Sequence, residues 1–221
     1  MIISILTAVT GAVVSAVSTL GPMVVNLCTN VVPRILPVLR GAVEICKAVV
    51  TVAQTIGMLY DVLRPGESVQ DMGERALQAG NGPEAFDDFE QYMQSLRDLK
   101  LDPARAQEFP AEAKLVAGLG VIAGGLDDRF RVRRGTMSNL WSLMAAPEFF
   151  TEARLGAILD HTREIGSVIK YFDGTLAPAD AGRIEQALLD AERQLDPGHG
   201  EERYLATLRD IGDSLRAGGR V

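Results

Sequence analysis

Arg129, Arg131, Arg133 and Arg134 crowd into six residues, directly after Asp127 and Asp128. A guanidinium presents a planar fork of N–H donors and can grip one phosphate or carboxylate through two bonds at once. The chemistry that this spacing offers is anion recognition, either of an anionic headgroup or of an acidic partner. An apolar stretch with Gly118, Gly120, Gly124 and Gly125 runs into the arginines, an order that suits a surface carrying anionic lipid. The alternative is an exposed loop neutralised by ion pairs within or between subunits. The glycines do not read as a dinucleotide loop. That motif needs a preceding strand and a fixed glycine spacing, whereas residues 111–117 read as helix. Close helix packing is the expected use of these glycines.

The remaining chemistry-bearing residues are sparse. His161 lies between Asp160 and Glu164, which are placed to orient it for acid–base work, and His199 sits in Pro197-Gly198-His199-Gly200. Neither histidine has companions at metal-ligand spacing, and no nucleophile motif joins them. No catalytic, cofactor-binding or metal-binding residue is therefore assigned, and no cofactor is expected. Trp141 and the Phe149-Phe150 pair read as core. Cys28 and Cys46 are too few for a disulfide framework or a metal site. They read as two small buried thiols, with pairing open if the chain folds back between them.

These residues must be positioned by helices. No charged residue occurs between Met1 and Pro33, and only Arg34, Arg40, Glu44, Lys47, Asp61 and Arg64 are charged up to Arg64. Beyond that point the chain is dense in charge, and the whole carries a formal net charge of −7. An acidic body argues against sequence-independent nucleic-acid binding, which needs a broad cationic face. No Lys or Arg precedes the apolar stretch and no small-x-small site closes it, so a secretory signal is not expected.

Along residues 2–20, Ser4, Thr7, Gly11, Ser15 and Ser18 recur at steps of three and four. They form a narrow seam of small residues on an otherwise apolar helix. At a rise of about 1.5 Å per residue, the uncharged run is long enough for a hydrocarbon core of roughly 30 Å. Gly21-Pro22, Pro33 and Pro37 break it, which makes a hairpin plausible. A second helix is expected over 38–63. Its polar stripe is Arg40, Glu44, Lys47, Thr51, Gln54 and Asp61, so it needs a lumen, a partner or a surface rather than simple immersion in lipid.

Arg64-Pro65-Gly66-Glu67-Ser68 marks a boundary. Helices are then expected from Asn81-Gly82-Pro83, from Leu101-Asp102-Pro103, over 110–126, over 136–146, from Pro147 to about Phe172, from Ala177-Pro178 and over 201–216. The fold class is all-α, an N-terminal apolar helical hairpin at 1–63 followed by a multi-helix acidic body at 64–221. Two functions compete. One is a membrane-interacting helical protein that inserts or docks its hairpin in a lipid bilayer, as a pore, a translocation component or a shielded effector. The other is a soluble structural or adaptor subunit of a large oligomeric assembly, of virion or secretion-machine type, with the arm buried between sister subunits. Both expect a homo-oligomer, located at a membrane or within the assembly.

Overall fold

The structure, a computed structural model, describes residues 43–218. Ser4, Thr7, Gly11, Ser15, Ser18, Cys28 and Arg40 lie outside the described residues, and so do the expected hairpin and the side chains of Glu44 and Cys46. Among the described residues the chain is helical throughout, with no strand. The helices are α1 (Val43–Leu59), α2 (Val69–Ala79), α3 (Phe89–Asp98), α4 (Pro103–Ala106), α5 (Ala111–Arg129), α6 (Glu152–His161), α7 (Ile165–Phe172), α8 (Pro178–Leu195) and α9 (Glu201–Gly218), with 3₁₀ segments at Pro83–Ala85 and Met137–Ala145. No described helix is long and apolar enough to cross a membrane.

The helices divide into two compact units. Among the described residues, one is 60–138 and the other joins 43–59 to 139–218. In the first unit, α5 is the buried axis: every residue from Leu115 to Asp127 is buried. A helix apolar on all sides must be covered on all sides, and α2 and α3 pack against it. At its crossing with α2 the two backbones touch. A Cβ on Gly73 would stand 1.8 Å from the Lys114 carbonyl oxygen, and one on Gly118 would stand 2.0 Å from that of Val69. Only glycine allows that approach. The Lys114–Glu74 ion pair, at 2.7 Å, flanks the crossing. Next to Glu74 on α2, Arg75 Nη1 donates to the carbonyls of Leu96, Arg97 and Leu99, at 3.0, 3.2 and 2.9 Å. It thereby satisfies the acceptors that the end of α3 leaves open.

In the second unit, α1 turns Val49, Val52, Ala53 and Ile56 inward and leaves Lys47 and Thr51 exposed. Its neighbour is α6, where Leu155, Ile158 and Leu159 are buried. Residues 43–59 are thus built into a folded unit through an apolar face.

The helix expected over 38–63 ends at Leu59, and that expected over 136–146 is the 3₁₀ segment Met137–Ala145. Two others are shorter than their sequence suggested. The helix expected from Pro147 to about Phe172 is two, because Thr162 turns extended (φ −148°, ψ 136°). Its hydroxyl also accepts the Glu164 N–H at 3.1 Å, a local bond that competes with helix. The helix expected from Pro83 is a single 3₁₀ turn. Phe86 is extended, and Asp88 starts α3 afresh by accepting the Gln91 N–H at 2.8 Å.

The crossing yields a paired expectation. Gly73→Ala or Gly118→Ala forces a methyl into a backbone carbonyl and should lower unfolding free energy by about 3 kcal/mol or more, at the upper end of overpacking costs. Gly182→Ala, in α8 with nothing within 4 Å of the added Cβ, should raise it by roughly 0.5–1 kcal/mol. Urea denaturation of the three variants measures both. Equal effects would show that the crossing tolerates a side chain.

Candidate functional site

Arg129 is the last residue of α5 and the other three arginines occupy the segment that follows it, so the way α5 stops determines their presentation. Arg131 N–H donates to the Asp128 carbonyl at 3.0 Å and Val132 N–H to that of Asp127 at 2.9 Å. This pair of bonds closes a helix when the residue after the cap turns left-handed, a position that glycine usually fills. Here the residue is Arg131, at φ 52°. A side chain in that region costs about 1–2 kcal/mol relative to right-handed geometry. Strain held at one position of an exposed loop is a pointer to use.

The loop is closed at its far end by the same residue that closes the near end. Asp127 is 2% exposed, and its carboxylate accepts the N–H of Gly135 at 2.6 Å and of Met137 at 2.8 Å. Gly135 supplies the second left-handed turn, at φ 82°. Thr136 N–H donates to the Arg133 carbonyl at 3.1 Å. Burial pushes the Asp127 carboxyl up to about 6, against the opposing pull of the Met137, Gly135 and Thr136 amides and the Arg134 charge. Desolvation outweighs the donors because removing a carboxylate from water disfavours its charged form.

All four arginines are exposed. Arg129 lies 3.8 Å from Asp61, with side chains 59% and 83% exposed, a pair too solvated to contribute much. Arg134 feels the Asp127 charge. Arg131 and Arg133 make no ion pair or side-chain hydrogen bond with any described residue. Internal neutralisation of the loop therefore reaches Arg129 and, through space, Arg134. The stripe residues Lys47, Thr51 and Gln54 belong to the other unit, where the first two are exposed and Gln54 is half-buried.

Each histidine meets a side chain of α8. His161 ends α6, exposed, with Nε2 3.0 Å from Gln194 Oε1. Glu164, expected to orient it, instead pairs with Arg183 and accepts from Ser167. His199 belongs to a buried cluster that the sequence did not suggest. Glu192, 3% exposed, accepts Arg154 Nη2 at 2.8 Å and Nε at 3.2 Å, and meets His199 Nδ1 at 2.6 Å. Arg154 also donates to the Phe149 carbonyl at 2.9 Å and stacks 4.3 Å from that ring. A buried carboxylate needs such partners, and here they tie α6 and α8 to the loop that precedes α9. Among the described residues no group of His, Cys, Asp and Glu is placed to hold a metal ion.

No protein-family model matches this chain, and comparison with curated proteins and with solved structures gave no match.

The raised Asp127 carboxyl sets a pH dependence. Its folded value, about 6, lies above the ordinary value near 3.9, so the folded state takes up the proton first. The resulting stabilisation is complete below about pH 4 and is lost as pH rises through about 6. Wild type should therefore gain stability relative to Asp127→Asn as pH falls from 7 to 4, measured by chemical denaturation at each pH. A difference that stays flat across that window would show that Asp127 titrates normally.

Proposed function

We propose that this chain is a membrane-interacting helical protein that docks its apolar N-terminal arm into a bilayer and sets its arginine loop against anionic headgroups. The observation that carries this reading is the loop. Arg131 holds a strained left-handed turn beside Arg133, both charges are exposed and unpaired among the described residues, and a buried carboxylate braces the whole segment. Stable membrane attachment commonly takes two signals, an apolar one and a cationic one. The uncharged run from Met1 to Pro33 is the apolar signal.

The burial of the α1 face bears on where the arm ends. Val49, Val52, Ala53 and Ile56 already serve the second unit, so the segment offered to lipid is 1–33 and not 1–63. Removing residues 1–33 leaves α1 in place.

A second reading, docking on a sister subunit, draws on Asp87, Asp88 and Glu90. All three are exposed, and they belong to the same unit as the loop. They would offer a second copy the opposite charge.

Vesicle flotation separates the two. The full chain should float with vesicles rich in phosphatidylserine. Replacing Arg131, Arg133 and Arg134 by Gln should weaken that binding about a hundredfold, at roughly 1 kcal/mol for each cation near an anionic surface. Deleting 1–33 should weaken binding to anionic and neutral vesicles alike. A chain that ignores both vesicle types and sediments as an oligomer dissociated by the arginine substitutions would replace the membrane with a sister subunit.

A further inference from the structure

We infer that the arginine loop recognises a membrane headgroup bearing phosphomonoesters, in preference to an evenly anionic bilayer of the same charge. The inference rests on the membrane reading above and concerns the same loop. Three features of the loop carry it.

The first is the donor inventory. The N–H groups of Arg131, Val132, Gly135, Thr136 and Met137 are engaged within the loop, three with Asp127 and the others with the Asp128 and Arg133 carbonyls. What the loop offers outward is therefore chiefly guanidinium. Its planar fork matches tetrahedral phosphate oxygens pairwise, which an ammonium cannot do.

The second is density. Successive Cα atoms are 3.8 Å apart, so those of Arg131 and Arg134 lie within about 11 Å of each other however the chain turns. Arg131, Arg133 and Arg134 thus root three exposed cations in a backbone span on the scale of one headgroup. A phosphomonoester carries about −1.5 to −2 charges and three strong acceptor oxygens.

The third is the surroundings. The chain as a whole carries −7, and Asp128 and Asp61 are exposed beside the arginines. A flat, uniformly anionic surface that meets the arginines also meets the field of these carboxylates. At physiological salt, charges interact over roughly 8 Å, so the repulsion is felt on docking. A headgroup that projects from the bilayer and concentrates its charge reaches the guanidinium groups without bringing the surface onto the carboxylates. The strain at Arg131 is consistent with a side chain kept for this contact, because glycine would relieve it at once.

The experiment uses the full chain and two sets of vesicles in phosphatidylcholine, matched in total surface charge, one with phosphatidylserine and one with phosphatidylinositol bisphosphate. Binding to the bisphosphate vesicles should be tighter by about tenfold, the scale of one additional charge-assisted contact. A variant with Arg131, Arg133 and Arg134 all replaced by Lys keeps the charge and loses the fork. It should lose the preference and bind the two vesicle sets equally, with helicity and melting checked by circular dichroism. Equal binding to the two vesicle sets by wild type overturns the inference, whether or not the Lys variant folds, while leaving the membrane reading intact. Retained preference in the folded Lys variant overturns it too. Soluble inositol bisphosphate that binds as tightly as the vesicles would place the ligand in solution and overturn the commitment to a headgroup. Failure to bind any vesicle overturns this inference and the membrane reading together.

Discussion

Backbone contact between α2 and α5 is the constraint on which the first unit depends. Gly73 faces the Lys114 carbonyl and Gly118 faces that of Val69, each at a distance that no Cβ could share. With the helices this close, α5 can be covered along its length and Leu115 to Asp127 can all be buried. The apolar character of α5 and the small residues at its crossing are therefore one design: a helix without a polar face needs neighbours close enough to exclude water on every side. The partly buried Lys114–Glu74 pair and the three carbonyls capped by Arg75 fit the same geometry, because each polar group near the crossing must be satisfied within it.

The buried end of α5 carries the contact outward to the loop. Asp127 is the last buried residue of that helix, and its carbonyl and carboxylate between them hold both ends of the segment 130–137. A carboxylate placed in the core is costly, and here burial outweighs its amide donors. Arg131 adds a left-handed turn that glycine would adopt without strain. Two costs at one loop, each avoidable by a simple substitution, are what a surface held for binding would show. The second unit solves a comparable problem without display. Glu192 is buried with Arg154 and His199 around it, and this polar cluster joins elements distant in sequence.

Much of the architecture was legible from residue patterns. The helical character of the described residues, the helix starts at Pro178 and at Asp102-Pro103 and the turn at Arg64–Glu67 follow from periodicity and local turn chemistry, which act over four or five residues. The misreadings were also local in origin. Thr162 and Asp88 each use a side-chain oxygen to end or restart a helix, and a periodic apolar pattern that runs through such a residue conceals the break. Asp127 had a faint signal, a carboxylate at the close of an apolar run. The partnership of Arg154 with Glu192 had none, since 38 residues separate them and no spacing rule links positions so far apart.

By itself, the sequence determined that the described residues are helical, that charge is absent from Met1 to Pro33, and that four arginines crowd together after a glycine-rich apolar run. Composition and short-range spacing carry those facts. Tertiary structure alone decided that α1 serves a folded unit through its apolar face, that Gly118 of α5 meets the backbone of α2, and that Arg131 and Arg133 are left without partners among the described residues while Asp127 is consumed by main-chain amides. The physical reason is common to all of these. Whether a charge is free or paired, and whether an apolar face is covered or exposed, depends on neighbours brought together by packing, and one-dimensional periodicity contains no record of them.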